Sequence, residues 1–154
     1  TKAELDFQAR LLLFARPTVA LFSPPRATQN PQLMERLQHM VKIYKSFVRP
    51  FAEDSRIFHH TPTFDGLEPQ GWGALELAAG DQSRAIAGVF QLASPDTPEY
   101  TLRFRGLDDG RRYRVTLDNV QQTVELDGWM LSQRGLTVRL EGALTSELIL
   151  CEAL

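Results

Sequence analysis

The fold is decided by residues 31–62, which read PQLMERLQHMVKIYKSFVRPFAEDSRIFHHTP. Between Leu33 and Val48, apolar residues recur at steps of three and four, which places them along one face of a helix. They are Leu33, Met34, Leu37, Met40, Val41, Tyr44, Phe47 and Val48. An apolar helix face has to be buried, so the architecture depends on what covers this one.

The two ends of this helix are marked by residues that suit them. Asn30 is a favourable N-cap, and Pro31 is favourable as the first helical residue, whose N–H has no partner within the helix. Pro50 predicts that the helix stops near Val48 or Arg49, because proline restricts the residue before it and has no N–H to donate.

Upstream, the sequence predicts a helix, a short strand and a loop. Thr1 and Glu4 form a capping-box pair, and the helix they begin is expected to end near Phe14. Pro17 breaks the pattern, and residues 18–22 predict a strand that is apolar on both faces, which is typical of a parallel sheet covered by helices. Helix, strand, loop and helix form the repeating unit of an α/β barrel or a doubly wound sheet. One strand cannot make a sheet, so this part resembles the end of a structure whose earlier units are missing.

Downstream of the long helix, the sequence predicts strands and tight turns. Seven strands are expected at residues 72–78, 85–92, 100–107, 113–117, 122–126, 136–140 and 147–151. Turn residues such as Asp-Gly separate them. Several strands alternate apolar residues with Arg or Thr, which indicates one buried face and one wet face. About seven strands over roughly ninety residues predict one small antiparallel β-sandwich.

The amino-acid composition limits the classes of protein to which the chain can belong. With 154 residues, 43% hydrophobic and 23% charged, the chain has material for one globular domain, or for one domain and a piece of another. A net charge of −2 predicts neither a nucleic-acid nor a membrane partner. No apolar run approaches the roughly 20 residues of a membrane span. The lone Cys151 excludes an intramolecular disulfide framework and is expected to be buried and inert.

The beginning of the sequence shows no signal-peptide pattern, because it lacks a basic region followed by an uninterrupted apolar segment. It also has no initiator Met. We therefore expect a cytoplasmic protein whose sequence begins inside a longer reading frame.

Four parts of the chain resemble the C-terminal part of glycoside hydrolase family 36, the α-galactosidase-like enzymes. Residues 44–50, YKSFVRP, are similar to the last barrel helix of that family. Residues 72–78, WGALELA, resemble the first sandwich strand, and residues 100–113 resemble the central hairpin. Residues 128–140, followed by residues 146–150, resemble the closing strands. The resemblance rests on the order and spacing of these segments, because each motif by itself has low specificity.

The resemblance implies an α+β fragment of a larger enzyme. Residues 1–55 would be the terminal α-β-α unit of a (β/α)8 barrel, residues 56–70 the joint, and residues 71–154 an antiparallel β-sandwich that stabilises the barrel. The expected partner of the chain is therefore the remainder of the catalytic barrel.

The resemblance also implies that the parent enzyme hydrolyses terminal α-linked galactose with retention. Such enzymes need two carboxylates about 5 Å apart, a nucleophile and an acid/base. In the family both lie on earlier barrel strands, so no catalytic residue is assigned here and the chain alone is expected to be inactive. The implied substrate of the intact enzyme is a galactose-containing oligosaccharide, and no cofactor is implied.

One loop of the chain is a candidate for contact with substrate. If residues 18–22 form the last barrel strand, residues 23–26 lie at its C-terminal end, where barrel enzymes build their active sites. Ser23 and Arg26 are therefore predicted to border the substrate pocket.

The histidines and the acidic residues predict structural roles. His59 and His60 are adjacent on an extended segment and point to opposite sides, so they make a poor chelating pair, and no metal site is predicted. The candidate acids, namely Asp108, Asp109, Asp127, Glu53 and Asp54, lie in turns or just past the helix. A turn aspartate normally bonds its own backbone, so no catalytic carboxylate pair is predicted among them.

The strongest basic cluster consists of Arg103, Arg105, Arg111, Arg112 and Arg114. Strand alternation places most of these residues on the wet face of one hairpin. Without interleaved exposed aromatics the cluster predicts a solvated strand face and no nucleic-acid binding, although such arginines can also hold an anion or pair with acids of an adjoining domain.

Trp72 and Trp129 are the two tryptophans, and either could stack on a sugar ring. Each lies at the start of an apolar segment, so core packing is the prediction for both. A second function from another class remains open, namely a free-standing carbohydrate-binding or protein-interaction module with an exposed aromatic platform. If the chain exists alone, its long apolar helix face predicts a homo-oligomer.

Overall fold

The computed structural model describes residues 2–15, 30–60, 64–65, 68–69, 71–92 and 97–154. Two α-helices come first, α1 at Lys2–Leu11 and α2 at Pro31–Ile43. α2 continues as a π-helical segment, Tyr44–Val48, and then as a 3-10 helix, Arg49–Asp54. Both helices lie where the sequence predicts them.

The predicted start of the long helix is confirmed, whereas the predicted end is only a change of helix type. The side-chain oxygen of Asn30 accepts a hydrogen bond from the Leu33 N–H at 3.1 Å, as an N-cap does. The π-helical segment ends at Val48, where Pro50 predicts a stop. The chain stays helical to Asp54, because proline fits near the start of a new helical segment, where its missing N–H is not needed.

The described residues form ten strands. They are β1 (Ser55–His59), β2 (Phe64–Asp65), β3 (Glu68–Pro69), β4 (Trp72–Ala79), β5 (Arg84–Gln91), β6 (Glu99–Leu102), β7 (Arg112–Leu117), β8 (Gln122–Asp127), β9 (Leu136–Arg139) and β10 (Thr145–Ala153). A π-helical turn, Met130–Arg134, lies between β8 and β9. Six strands make one antiparallel sheet in the order β1-β4-β5-β10-β7-β8, β6 pairs with β9, and β2 pairs with β3.

The seven predicted strands are present, and six of them have bounds within two residues of the prediction. The exception is the strand predicted at residues 100–107, because β6 ends at Leu102. Beyond it the Phe104 N–H donates to the Leu131 carbonyl at 3.0 Å, which turns the chain inward and buries Phe104 and Leu107. β1 begins one residue before the segment 56–70 that we assigned to a joint, and it pairs with β4 along its whole length.

One face of the six-stranded sheet forms a core with the β6–β9 ribbon and the segments around it. The members of this sandwich core include Ala74, Ala87, Val89, Leu102, Phe104, Tyr113, Val115, Leu131, Val138 and Ile149. Cys151 also lies there and is fully buried, as predicted. Burial raises the pKa of its thiol well above the ordinary 9.0, which disfavours the reactive thiolate form.

The opposite face of the sheet is covered by the helices. Three large apolar residues of the sheet, Ile86, Phe90 and Leu148, pack with residues of both helices and of the segments that follow them. These are Phe7 of α1, Leu13 and Phe14 just after α1, Met40 and Ile43 of α2, and Val48 of the π-helical segment. The Phe90 ring meets the rings of Phe7 and Phe14 edge-on, with centroids 5.2 and 6.3 Å apart.

The predicted pattern of one buried and one wet face holds on only part of the sheet. On β7, Tyr113 and Val115 are buried while Arg112 and Arg114 are exposed. β5, in contrast, is buried at every position after Arg84. The helices cover β5 but not β7, so only the outer strands keep a solvated face.

Over the described residues the observed class is thus α+β, with a mostly antiparallel, sandwich-like sheet and two α-helices on one side. The predicted strand at residues 18–22 lies outside the described residues, so the barrel unit and the predicted domain boundaries stay predictions. Within the part of the chain that the structure describes, no helix has the length and apolar character needed to cross a membrane.

Replacing Phe90 by Ala should lower the free energy of unfolding by about 3–5 kcal/mol, because its ring is 1% exposed and joins both helices to the sheet. Urea denaturation measures the change. Phe51→Ala is the control, since Phe51 is only partly buried and should cost clearly less. Equal costs for the two variants would contradict the packing described above.

Candidate functional site

The predicted substrate-binding residues, Ser23 and Arg26, lie outside the described residues, so their role stays a prediction. The described residues instead bring polar side chains together in two buried clusters. One surrounds Glu76 inside the sandwich core, and the other surrounds Asp118 between the helices and the sheet.

The two adjacent histidines point in different directions, as predicted for an extended segment. His59 is exposed, whereas the His60 side chain is 8% exposed and its Nε2 lies 2.8 Å from Glu76 Oε2. His60 therefore has a structural role where the chain leaves β1. Among the described residues, no group of His, Cys, Asp and Glu is arranged to hold a metal ion.

Glu76 is a fully buried carboxylate held by several donors. Besides His60, the backbone N–H of Arg105 donates to Oε2 at 2.9 Å, and the backbone N–H of Gly106 donates to Oε1 at 2.8 Å. Gly106 permits this approach, because a Cβ at that position would lie 2.2 Å from the Cβ of Ala78. The Glu76 cluster therefore ties β4 to the segments that follow β1 and β6.

The second cluster is built around the guanidinium of Arg10, which α1 places against the sheet with 1% of its surface exposed. Its Nη1 donates to the Ser146 carbonyl at 2.6 Å. Its Nη2 donates to Asp118 Oδ2 at 2.6 Å and to Asn119 Oδ1 at 2.7 Å. Its Nε has no partner among the described residues, so the two terminal nitrogens make the contacts. Arg10 thus connects α1 to β10 and to the turn between β7 and β8.

Asp118 is the centre of this cluster because it contacts both helices. Its second carboxylate oxygen, Oδ1, lies 2.6 Å from His39 Nε2 on α2. Burial raises the pKa of the Asp118 carboxyl, but hydrogen bonds from Arg10 and His39 outweigh that effect and hold the pKa below the ordinary 3.8. The carboxylate is therefore the stable form, with a charged partner on one oxygen and an imidazole on the other.

Two further carboxylates complete the contact between the layers. Glu147 Oε1 accepts hydrogen bonds from the backbone N–H groups of Asn119 and Leu148 at 2.9 and 2.8 Å. Burial nevertheless raises the pKa of the Glu147 carboxyl above the ordinary 4.5. Between the helices, both oxygens of Asp6 accept from Arg36 at 2.6 Å, a bidentate pair that joins α1 to α2.

Both clusters suit a structural function better than a catalytic one. The carboxylates of Glu76, Asp118 and Glu147 are each at most 6% exposed and are occupied by protein donors. A catalytic carboxylate needs an oxygen that can reach a substrate. What these side chains do is hold β1, β10, both helices and two loops in fixed positions.

The arginine cluster is solvated, as predicted, but it is not the face of one hairpin, because β6 pairs with β9 and only Arg112 and Arg114 lie on a strand. Its five members, Arg103, Arg105, Arg111, Arg112 and Arg114, are all exposed. Arg112 lies 3.5 Å from Glu125 and 3.3 Å from Asp127, and Arg111 lies 3.4 Å from Asp108. Neighbouring carboxylates therefore offset part of this positive charge.

Of the acids predicted in turns, Asp108 bonds its own backbone as predicted, whereas Asp109 bonds a serine of another segment and Asp127 is the last residue of β8. Asp108 Oδ1 accepts from the Gly110 N–H at 2.8 Å, a bond inside its own turn. Asp109 accepts from the hydroxyl of Ser132 at 2.5 Å. Glu53 and Asp54, which we placed just past the helix, lie inside the 3-10 helix.

The two tryptophans differ in their surroundings. Trp72 is partly buried against the sandwich core, and its ring lies 5.7 Å from that of Tyr100, so the prediction of core packing is confirmed for Trp72. The same prediction is wrong for Trp129, which is 49% exposed. The physical reason is that the chain turns after β8 and buries Leu131 in place of Trp129.

A protein-family comparison identifies the strand-rich part of the chain. Residues 72–150 match the model of the glycosyl hydrolase family 36 C-terminal domain. No curated protein sequence matches the chain significantly.

Solved structures with a similar fold include α-galactosidases. The α-galactosidase from Lactobacillus brevis is 17% identical with a TM-score of 0.64, and the match covers 96% of this chain and 20% of that chain. A variant of the family 36 α-galactosidase AgaA from Geobacillus stearothermophilus, in complex with raffinose, is 20% identical with a TM-score of 0.62. That match covers 88% of this chain and 17% of that chain. The chain therefore spans about a fifth of the length of these enzymes or less.

Glu76→Ala should lower the free energy of unfolding by about 3 kcal/mol or more, because His60 and two buried N–H groups lose their acceptor. Glu125→Ala is the matched control, since Glu125 is half exposed on β8 and should change stability by about 0.5 kcal/mol or less. Urea unfolding of both variants tests this. Two similar small changes would show that the Glu76 cluster is not stabilising.

Asp118→Asn should destabilise the protein at about pH 7 by roughly 3 kcal/mol, because Arg10 stays buried without its ion-pair partner. A carboxyl whose folded pKa is lowered contributes stability above its unfolded pKa, and that contribution disappears as the pH falls through the folded value. The difference between wild type and variant should therefore shrink below about pH 4.

Unfolding curves of the two proteins across this pH range measure that difference. The contribution of Glu147 to stability changes with pH in the opposite direction, because the folded pKa of Glu147 is raised. Both proteins contain Glu147, so its contribution largely cancels when their stabilities are compared. A difference that stays constant with pH would contradict an ionised Asp118 in the cluster.

Proposed function

The chain belongs to the glycosyl hydrolase family 36 C-terminal domain family, and from this membership we propose that it is the C-terminal part of a retaining α-galactosidase-like glycoside hydrolase. In this proposal the chain is not catalytic by itself. The catalytic carboxylates lie in the remainder of the enzyme, and this part stabilises the catalytic barrel. The α-galactosidases that share the fold support the assignment.

One observation carries the structural role, namely that α2 is apolar on two sides. Its inner side, with Met40 and Ile43, is buried against the sheet. Its outer side carries Met34, Leu37 and Val41, which line a mainly apolar groove, and Val41 is 38% exposed. A helix that is apolar on two sides suits a position between two packed layers. We assign the inner side to the sandwich sheet and the outer side to the remainder of the barrel.

The proposed barrel also gives a role to the loop at residues 23–26. If residues 18–22 are the last barrel strand, Ser23 and Arg26 lie at the end of the barrel where active sites form, and they border the galactoside pocket. In support, the match to the Lactobacillus brevis enzyme covers 96% of this chain and so extends well beyond residues 72–150.

A retaining mechanism needs a nucleophile and an acid/base about 5 Å apart, both open to the sugar. The buried carboxylates of the described residues do not meet this requirement. Even Glu147, whose raised pKa is of the kind a general acid needs, is 5% exposed and bonded to two backbone N–H groups. This supports placing catalysis outside the chain.

The outer side of α2 provides the test. In the full-length enzyme, Val41→Asp should lower the temperature of thermal inactivation by several degrees, because it places a charge against the barrel. Residual hydrolysis of p-nitrophenyl α-galactoside after heating measures the loss. Gln32→Asp adds the same charge at an exposed position of the same helix and should leave the inactivation temperature unchanged.

Equal inactivation of wild type and Val41→Asp would show that the outer side of α2 does not pack on the enzyme. A full-length protein that does not hydrolyse terminal α-galactosides would contradict the proposed activity itself. The two results are independent of each other, so either part of the proposal can fail separately.

A further inference from the structure

Trp129 is a large apolar side chain at a surface position, held by a fixed backbone. The backbone N–H of Trp129 donates to the backbone carbonyl of Asp109 at 3.2 Å. The backbone N–H of Gly128 donates to the carbonyl of Arg111 at 2.7 Å. Gly128 is required for this approach, because a Cβ there would lie 2.0 Å from the Asp108 carbonyl oxygen. The indole is therefore presented to solvent by a segment that is bonded on both sides.

The surroundings of the exposed indole are polar. The guanidinium of Arg134 lies over the ring, 5.6 Å from its centroid. The hydroxyl of Ser132 bonds to the Asp109 carboxylate, and the exposed amide of Gln133 lies 3.3 Å from that hydroxyl. The half-exposed ring thus has a cation over it, and the hydroxyl, carboxylate and amide meet beside its backbone, where Ser132 Oγ lies 3.3 Å from the Trp129 carbonyl oxygen.

We propose that Trp129 and these polar neighbours bind one pyranose ring of an oligosaccharide. A pyranose has an apolar face of C–H groups that stacks on an indole, and its hydroxyl groups bind charged and amide side chains at the rim. The fixed backbone favours binding because little ordering is needed when the sugar arrives.

A sugar fits this surface better than a protein partner does. Protein interfaces combine a contiguous apolar patch with a centre depleted of charge. At Trp129 the flanking exposed residues are Arg134, Gln133 and Asp109. Val120, another exposed apolar residue, lies in the turn at the opposite end of the β7–β8 hairpin.

Affinity electrophoresis of the full-length protein tests the proposal, with galactomannan in one gel and soluble starch in another. Galactomannan is chosen because of the proposed function. The proposal of a sugar site itself is argued from the surroundings of Trp129 and does not depend on that function. Trp129→Ala should weaken retardation roughly tenfold in apparent dissociation constant, and Trp129→Phe should lie between it and the wild type. Val120→Ala, which removes exposed apolar surface elsewhere, should migrate as the wild type does.

Each outcome decides the proposal. Loss of retardation in Trp129→Ala in either gel supports a pyranose site, and loss in starch alone supports the site while contradicting its assignment to galactosides. Equal retardation of wild type and Trp129→Ala in both gels overturns the proposal. A change in native mass of Trp129→Ala by light scattering also overturns it, because the indole would then belong to a protein interface.

Discussion

Burial of both faces of the six-stranded sheet is the constraint on which the rest of the structure depends. β5 lies inside that sheet and is buried at every position after its first residue. The ribbon of β6 and β9 closes one face, and the two helices close the other. Without the helices, Ile86, Phe90 and Leu148 would face water, at a cost of about 1.5–3 kcal/mol for each large apolar side chain. The helices and the sheet therefore share one core.

Apolar packing has little directional preference, so it does not by itself determine how the helices lie on the sheet. The polar cluster at their boundary does, because hydrogen bonds require defined distances and angles. Asp118 receives Arg10 from one helix and His39 from the other, and the Asp6–Arg36 pair joins those helices to each other. If the outer side of α2 packs on a barrel, this cluster determines the angle at which the barrel meets the sandwich.

The outer strands of the sheet have a different character because the helices do not reach them. β7 and β8 keep a solvated face, where arginines lie opposite carboxylates of the neighbouring strand. Such exposed pairs contribute little to stability. The turn after β8 then exposes Trp129 while burying Leu131, so this edge of the molecule combines charge with one aromatic ring. The exposed surface thus differs between the outer side of α2, which is mainly apolar, and the β7–β8 edge, which is charged.

The local features of this protein could be read from its sequence by itself. Helical period and end residues determined α2, and alternation with turn residues determined strands such as β7, because both signals depend on neighbours a few residues apart. The tertiary structure alone decided that β1 completes the sheet and that β5 is covered twice. It also decided that Glu76 contacts His60, which is 16 positions away, and that Arg10 contacts Ser146, which is 136 positions away. A charge within an apolar strand signals that a partner must exist, but which residue supplies it depends on how the chain crosses the sheet, and that is a property of the whole fold.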